Sequence, residues 1–341
     1  MKFFGLHYTS WILIVVLLFE GCHSKQQKQP SDQAVTRKSS VNFSIIGAYA
    51  LYPLAQIWVD EYRQLHPEFR ISAFPASSTK GVTDALLGLT EIGLYSGLHP
   101  ESIDEALIVF KVAKDAVVPT ISRSNPYLTE LTENGLSIAN LRDVYITGRI
   151  DSWNQLTGAE EGRKIVLFTR SDASGAAAVW AEFLGATQEN LKGIGVYGDA
   201  GMTQAVRSNI YSLGYDNLRF VFDNISGRLY PGLNVPPVDF NRNDRIDPEE
   251  RLYTNIESLK EGIKSGDYPY PLARDLYLVV NREQRNPFVM DFLKWVLTEG
   301  ALLTDGAGYV GLTEDESQRE FDKLMKWLNK VTQSEEYSES K

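Results

Sequence analysis

Three loops in the sequence carry residue types that suit an anion-binding site, and each joins a strand-like stretch to a helix-like stretch. They span residues 47–53, 77–81 and 170–175. The start of a helix offers unpaired N–H groups and the positive end of the helix dipole, so an anion is stabilised there. Side-chain donors come from Ser77, Ser78, Thr79, Ser174 and Arg170. Hydroxyl residues also serve as ordinary helix caps, but three such loops in order, one with an arginine fork, favour an anion site.

A fourth segment has the spacing of a calcium-binding loop. Between Asp239 and Glu250, oxygen-bearing side chains stand at positions 1, 3, 5, 9 and 12, with Ile246 at position 8, as in an EF-hand loop. Position 6, usually a glycine in a left-handed turn, is Asp244, and aspartate tolerates that conformation better than most residues. The predicted calcium ligands are Asp239, Asn241, Asn243, Arg245, Asp247 and Glu250. The alternative is an acidic polar turn, and a bound Ca²⁺ would have a structural rather than a catalytic role.

Bulk composition limits the classes of function. The 341 residues are 43% hydrophobic and 23% charged, which suits one large or two ordinary globular domains, and the net charge of −10 disfavours nucleic-acid binding. Cys22 is the single cysteine, and two of the 4 histidines lie near the N-terminus, so neither an intrachain disulfide nor a His/Cys zinc cluster can form. We expect no enzyme activity and no catalytic cofactor. A phosphoesterase in particular would need a metal cluster or an activated nucleophile, and the sequence shows neither.

The N-terminus has the features of an export signal. Lys2 is followed by a short apolar core, residues 11–19, that is too short to span a membrane as a mature helix. Gly21-Cys22 ends the core, which resembles a bacterial lipoprotein cleavage site with Cys22 as the acylated residue, although Glu20 is unusual there. An uncleaved anchor is the alternative. We therefore expect a signal peptide over residues 1–22, a flexible polar tether over 23–40, and an exported protein anchored in a membrane, in the periplasm or at the cell surface.

Strand and helix signals alternate along the rest of the chain. Apolar stretches typical of strands occur at residues 43–46, 71–74, 92–95, 165–168 and 276–280. Apolar residues at helical spacing occur within residues 51–65, 82–89, 141–145, 174–184 and 288–297. This order predicts an α/β fold in which a mostly parallel sheet is flanked by helices. A second α/β unit is expected to begin after Pro119. A G-x-G-x-x-G pattern at residues 193–198 follows a helix-like stretch, so it does not predict dinucleotide binding.

Several short stretches, spread over nearly all of the chain after residue 40, carry a family resemblance. In order, they are Ile46-Gly47-x-x-Ala50-Leu51-x-Pro53, Ser78-x-x-Gly81-Val82, Glu91-Ile92-Gly93, Ile146-Thr147-Gly148-Arg149-Ile150-x-x-Trp153, Arg170-Ser171-Asp172-Ala173-Ser174-Gly175, Tyr270-Pro271-x-x-Arg274-x-Leu276-Tyr277 and Gly308-Tyr309-Val310. Together they resemble the phosphate-binding proteins of ABC transporters. The resemblance is specific as an ordered set, although no single stretch is.

The resemblance implies a two-lobed type II periplasmic binding protein fold, with an α/β sheet in each lobe and the ligand in the cleft between them. Lobe one would hold residues 41–116 and 272–329, lobe two would hold 117–271 with the loop 239–250, and 330–341 would form a polar tail. The implied ligand-binding residues are Ala48, Tyr49, Ala50, Ser77, Ser78, Glu91, Arg170, Ser174, Gly175 and Ala176. Glu91 stands where the family has an aspartate, so it would accept the proton of monohydrogen phosphate and repel sulfate.

The expected function is that of an exported, monomeric lipoprotein that binds phosphate and delivers it to an ABC permease. The chain departs from the family at several contacts, because Ala48-Tyr49 replaces a hydroxyl donor in the first loop and Ala176 replaces a threonine. Two alternatives therefore stay open. One is a binding protein or sensor for a different oxyanion, and the other is a calcium-stabilised surface protein without a role in transport.

Overall fold

The computed structural model describes residues 41–339. The strands in this range are β1 (Val41–Ala48), β2 (Phe69–Ala76), β3 (Ile92–Tyr95), β4 (Leu107–Ser122), β5 (Leu136–Ser137), β6 (Val166–Arg170), β7 (Ile194–Val196), β8 (Ser212–Asn217), β9 (Leu233–Asn234), β10 (Val238–Asp239) and β11 (Ala273–Asn281). The α-helices are α1 (Tyr52–Leu65), α2 (Ser78–Leu86), α3 (Leu128–Asn134), α4 (Ile138–Arg142), α5 (Trp153–Thr157), α6 (Gly175–Phe183), α7 (Gly198–Ser208), α8 (Leu218–Val221), α9 (Ile256–Ser265), α10 (Pro287–Val296) and α11 (Glu314–Glu339).

The main sheet has the strand order β2-β1-β3-β11-β4-β8-β6-β7, with β9 beside β4, while β5 and β10 form a separate parallel pair. The strands at both ends of the order run parallel, β2 with β1 and β3 on one side and β7 with β6 and β8 on the other. The central strands β11 and β4 are antiparallel to each other and to their other neighbours. Because parallel strands alternate with helices at both ends, the predicted α/β class with a mostly parallel sheet is confirmed.

Two hydrophobic cores lie on either side of the central strands. One contains Trp58, Phe110 and Phe292, and we call the part of the chain around it lobe one. The other contains Trp153 and Trp180, and we call its surroundings lobe two. Strands β4 and β11 take part in both cores, so they connect the lobes and carry the chain from one to the other.

Close backbone contacts in lobe one place the start of α2 at the end of the sheet. A Cβ atom at Gly81 of α2 would lie only 2.7 Å from the carbonyl oxygen of Ile46 on β1. Gly47 has a φ of +145°, and a Cβ there would lie 2.3 Å from the oxygen of Leu94 on β3. Larger side chains would push helix and strands apart. The two glycines therefore bring the N-terminus of α2 against the carboxyl ends of β1 and β3.

The predicted boundaries of the lobes and of the polar tail stay predictions, and the structure adds two facts about them. Strand β4 continues without interruption through Pro119 to Ser122, so the chain passes from lobe one to lobe two within a single strand. Helix α11 continues into the expected polar tail as far as Glu339. Residues 1–40, with the predicted signal peptide, Cys22 and the tether, lie outside the described residues. Within residues 41–339, no helix is both long enough and apolar enough to cross a bilayer.

Candidate anion site

A small cleft lies where the carboxyl ends of strands from both lobes meet. Its lining residues are Ala48, Tyr49, Ala50, Ala76, Ser77, Ser78, Ser96, Arg170, Asp172, Ala173, Ser174, Gly175, Ala176, Asp199 and Asn217. Nine of the ten residues predicted to bind the ligand lie here, and Glu91 is the exception. The cleft has an empty volume of about 190 Å³. Its size suits a small ion.

The first loop contributes backbone and an aromatic ring. Ala48 ends β1, and its carbonyl accepts a hydrogen bond from the N–H of Leu51, which turns the chain into α1. The hydroxyl of Tyr309 donates to the carbonyl of Ala50 at 2.7 Å. That carbonyl therefore faces the protein interior and is not directed at an anion. Helix α1 begins directly after this loop, with Pro53 in its first turn.

The second loop contributes the N-terminus of α2. Ser77 is the N-cap residue, and its hydroxyl accepts the N–H of Lys80 at 3.1 Å. Ser78 accepts the N–H of Ser96 at 3.1 Å, and the hydroxyl groups of Ser78 and Ser96 are also 3.1 Å apart. Either hydroxyl can be the donor, so one hydroxyl hydrogen of this pair stays available to a ligand. The N–H groups of the first helical turn have no partners within the helix, so they add further donors.

The third loop contributes the N-terminus of α6 from lobe two. The hydroxyl of Ser174 caps the helix by accepting the N–H of Ala177 at 3.4 Å, and its own N–H donates to Gln188. A Cβ atom at Gly175 would lie 2.4 Å from the hydroxyl oxygen of Ser96 in lobe one. Glycine is therefore required there for the two lobes to approach this closely. The helix begins at the point where the lobes meet.

Arg170 is the cation of the cleft, and two carboxylates hold it. Its Nε and Nη2 donate to Asp172 at 2.8 and 2.6 Å, and its Nη1 donates to Asp199 at 2.6 Å. Only 2% of its side chain is exposed. Burial lowers the pKa of Arg170, but Asp199 and Asp172 outweigh that effect and raise it. Arg170 is therefore ionised and rigidly oriented. One cation between two carboxylates leaves a net negative charge, so an anion must be held by directed donors rather than by net charge.

Tyr49 closes the cleft from the lobe-one side. Its ring lies 5.7 Å from the guanidinium carbon of Arg170 and makes an edge-to-face contact, at 5.9 Å, with Tyr197 of lobe two. Burial, followed by the neighbouring Tyr197, raises the pKa of Tyr49 to about 12, so its hydroxyl keeps its proton at neutral pH. These contacts connect the two lobes over the cleft. They therefore exist only while the lobes are close together.

Glu91 is not part of this cleft, and its predicted role as acceptor of the ligand's proton is wrong. Its carboxylate accepts the N–H of Ser44 at 2.7 Å and the hydroxyl of Ser44 at 3.1 Å. Glu91 precedes β3, so it lies at the amino end of the parallel strands, whereas the cleft lies at their carboxyl ends. The distance along the strand separates the residue from any ligand. In this chain, Ser96 is the residue after β3 that reaches the cleft.

The cleft also contains residues that the sequence did not assign to it. Asp172, Asp199, Asn217 and Ser96 all line it, and each is largely buried. Asp199 lies in the first turn of α7, directly after β7 and Gly198. The G-x-G-x-x-G pattern at residues 193–198 contains β7 and leads into α7, so it forms a fourth strand-to-helix connection. The rule that identified the first three loops would have found Asp199 if β7 had been recognised.

The predicted calcium loop forms a tight turn in lobe two. Asp244 at position 6 has the expected left-handed conformation, with a φ of 63°. The side chains of Asn241 and Asn243 converge on one oxygen of Asp247, at 2.8 and 2.6 Å. An amide turned by half a rotation would present its oxygen at the same point, as a cation requires. The side chains at positions 3, 5 and 9 therefore meet as they would around a metal ion.

Other groups of the loop are engaged within the protein. Asp239 accepts the N–H groups of Asn243 and Asp244, and Glu250 accepts those of Phe240, Asn241 and Asp247. The guanidinium of Arg245 pairs with Asp247 at 2.9 Å. Within the described part of the chain, no three His, Cys, Asp or Glu side chains are grouped as a metal site. The calcium site stays a prediction, and it depends on the amide and backbone oxygens of the loop.

Comparison with known proteins identifies the family. A family model for the PBP (periplasmic binding protein) superfamily domain matches residues 27–299. The phosphate-binding protein PstS of Methanocaldococcus jannaschii is 26% identical over 366 residues, which cover 89% of this chain and 90% of that protein. PstS of Staphylococcus haemolyticus is 23% identical over 296 residues, covering 83% and 85%.

Solved structures show the same fold. An ABC-type phosphate transport receptor from Vibrio cholerae matches with a TM-score of 0.58 at 19% identity, covering 79% of this chain and 100% of that one. A Clostridium perfringens protein assigned as a phosphate ABC transporter substrate-binding protein, with bound phosphate, matches with a TM-score of 0.62 at 21% identity, covering 80% and 100%. The predicted two-lobed fold is confirmed, and so is the prediction that the chain is not an enzyme, since the family and its relatives are substrate-binding proteins. The chain belongs to the PBP superfamily of periplasmic binding proteins.

Proposed function

We propose that this protein binds phosphate outside the cytoplasm and delivers it to an ABC permease. The observation that carries the proposal is the convergence of the N-termini of α2 and α6, the loop before α1 and Arg170 on one small cleft. Directed N–H and hydroxyl donors of this kind suit a tetrahedral oxyanion. The relatives named as phosphate-binding proteins cover most of the chain, and they favour phosphate over other oxyanions of the same shape.

The carboxylates beside Arg170 provide the selectivity for phosphate over sulfate. Monohydrogen phosphate keeps one O–H and needs an acceptor, whereas sulfate has no proton to donate at neutral pH. Asp199 lines the cleft, and its Oδ2 is a buried oxygen without a hydrogen-bond partner among the described residues. A protonated oxyanion satisfies this oxygen, and a fully ionised one is repelled by it. The acceptor expected at Glu91 is thus replaced by one in lobe two.

A calorimetric titration tests the proposal. The chain from residue 23 onward, which begins after the predicted signal peptide, is titrated with phosphate and with sulfate. We expect phosphate to bind more tightly than sulfate, and Asp199→Asn to reduce that preference. Binding of sulfate alone would favour the alternative of a different oxyanion. Binding of neither anion would contradict an anion-binding function and favour a surface protein without a role in transport.

The proposal includes a location and two partners outside the described residues. Acylation at Cys22 would tether the protein to a membrane, and the polar segment 23–40 would let it reach a permease. Relatives named as components of phosphate transport support the permease partner. The protein would act as a monomer, because one chain supplies both walls of the cleft.

We also propose that the loop 239–250 holds a structural Ca²⁺. Two features support this site. The side chains of Asn241, Asn243 and Asp247 meet at one point, and Asp244 has a left-handed backbone conformation. The ion would stabilise the loop against lobe two and would take no part in anion binding.

A further inference from the structure

Arg274 is a second arginine near the cleft, and it lies where the lobes join. It is on β11 and pairs in register with Asp115 on β4, the two strands that take part in both cores. Only 3% of Arg274 is exposed, and Asp115 is fully buried. A guanidinium group is rarely buried so deeply unless its charge is paired and its N–H donors are hydrogen-bonded.

Part of the hydrogen-bonding capacity of Arg274 is unused. Its Nη2 donates to Oδ1 of Asn217 and lies 3.7 Å from the carboxylate of Asp115. Its Nε and Nη1 have no hydrogen-bond partner among the described residues. Burial lowers the pKa of Arg274, and burial also raises that of Asp115 to about 6. The pair is therefore a loose ion pair that is poorly solvated, and fold stability does not explain its presence.

Arg274 lies directly under the start of α6. A Cβ atom at Gly175 would lie 3.0 Å from its Nη1 and 2.4 Å from the hydroxyl of Ser96. Gly175 and Ser96 belong to different lobes, and both line the cleft. The positive charge of Arg274 therefore lies beneath the floor of the cleft, at the junction that closes around a ligand.

A chain of hydrogen bonds leads from Arg274 to the cleft arginine. An arginine side chain has no acceptor, so Arg274 obliges Asn217 to turn its oxygen inward. The amide nitrogen of Asn217 then faces Asp199 and donates to its Oδ1 at 2.8 Å. The same oxygen accepts Nη1 of Arg170 at 2.6 Å. The orientation of Asn217, and through it that of Asp199 and Arg170, thus depends on Arg274.

We propose that Arg274 is a positioning residue of the anion site. It orients Asn217 and Asp199, and through them Arg170, and its charge beneath α6 offsets the carboxylates that surround the cleft. Because β4 and β11 carry it, this arrangement is complete only when the two lobes are correctly joined. The inference rests on the proposed function, since it concerns how tightly the same cleft holds phosphate.

Three variants test the role of Arg274: a reference variant and two substitutions of Arg274 made in that reference. Removing Arg274 alone would leave Asp115 as an unpaired buried carboxylate, so Asp115→Asn is the reference. Arg274→Met in that reference should bind inorganic phosphate about tenfold more weakly or worse, as the loss of a charge-assisted contact predicts. Arg274→Lys should recover binding to within about threefold of the reference, because lysine keeps the charge and a donor. A role in packing alone would be served by methionine as well as by lysine, so the two variants would then bind phosphate equally well.

A matched control and a folding check make the outcome unambiguous. Arg219 also has a buried Nε without a hydrogen-bond partner in the described part of the chain, and its Nη1 donates to Tyr230 away from the cleft. Arg219→Met should therefore leave phosphate affinity unchanged. Thermal unfolding without ligand checks that each variant folds, and Arg274→Gln in the reference replaces the Met variant if that one does not.

The inference is overturned if the folded, neutral Arg274 variant binds as tightly as the Asp115→Asn reference, or if the lysine variant binds as weakly as the methionine variant. Failure of wild type to bind phosphate would instead overturn the proposed function.

Discussion

Replacing Arg170 with alanine removes the one cation from between two buried carboxylates. A lost charge-assisted contact to the ligand costs about 1.5–3 kcal/mol, so phosphate should bind about 10–150-fold more weakly. The fold should suffer as well. Asp172 and Asp199 would face each other without their shared partner, and breaking a buried ion pair costs about 3–5 kcal/mol.

The loss of stability converts into a measurable shift. With an unfolding entropy of about 2.1 cal/mol/K per residue, a body of about 300 residues loses about 1 °C in Tm for each 0.6 kcal/mol. Arg170→Ala should therefore unfold about 5–8 °C below wild type in scanning calorimetry without ligand. The matched control is Arg149→Ala, which removes an exposed arginine from its pair with Asp143. Such surface pairs contribute about 0–1 kcal/mol, so its Tm should move by less than about 2 °C.

A compensated variant separates the two effects. Arg170→Met combined with Asp172→Asn and Asp199→Asn leaves no buried charge without a partner, so its Tm should return towards that of wild type. Its phosphate affinity should stay low, because the cation and the proton acceptor are both gone. If the compensated variant is as unstable as Arg170→Ala, the electrostatic account of this cluster is wrong. If Arg170→Ala binds phosphate within about twofold of wild type, Arg170 is not a ligand contact.

Four further predictions concern separate parts of the chain. Glu91→Gln should leave the ratio of phosphate to sulfate affinity unchanged in calorimetry, whereas Glu91→Ala should lower the free energy of unfolding by about 1–3 kcal/mol through the loss of its bond to the backbone. A change in the ratio of phosphate to sulfate affinity would mean that Glu91 contributes to the site. Tyr49→Ala should speed phosphate release about 5–30-fold in stopped-flow measurements, since aromatic and cation–π contacts across the lobes contribute about 1–2 kcal/mol. An unchanged release rate would mean that Tyr49 does not hold the lobes closed. Calcium at 100 times its dissociation constant should stabilise wild type by about 2.7 kcal/mol, or about 4 °C, reversibly on chelation, and should not affect Glu250→Gln. Equal responses of the two proteins would rule out the loop as the site. Cys22→Ser should release the protein from membranes or block its processing, and unchanged mass and membrane association would contradict acylation.

The positions of the three loops could be predicted from the sequence because they follow from strand order. The carboxyl ends of parallel strands meet at one edge of a sheet, so helices that begin there share a site. Loops after β1 and β2 meet in this way at the carboxyl ends of the lobe-one strands. The loop after β6 reaches the same cleft from lobe two, where β6 runs in the opposite direction and its carboxyl end faces lobe one. The same rule excludes Glu91, which stands before β3 and so at the opposite edge. Neighbouring residues in the sequence resemble the family at Glu91, but they do not show which end of the strand this residue occupies.

The length of the central strand β4 could not be predicted from local sequence patterns. Pro119 normally interrupts a strand because it lacks an N–H donor. In β4 it lies after Ala116, the last partner of β11, and before Ile121, the first partner of β9, while β8 pairs along the other edge. Within residues 41–339, one edge of β4 has no neighbouring strand at that point, so a proline is tolerated there. Which edge is free depends on β9 and β11, strands that lie far from β4 in the sequence, and a local pattern carries no such information.

The charges explain why composition was a poor guide to the ligand. The chain has a net charge of −10, and the one arginine that lines the cleft is held by two carboxylates. Neither the whole protein nor the site attracts anions through net charge. Affinity must come from hydrogen-bond donors that are fixed in place before the ligand arrives. The free-energy cost of orienting these donors is then part of folding and not of binding. Asp172 and Asp199 reduce the attraction for every anion, but they fix Arg170 in one orientation and penalise an anion that has no proton to share. An acidic chain can therefore bind an oxyanion selectively because its carboxylates restrict which anion is accepted.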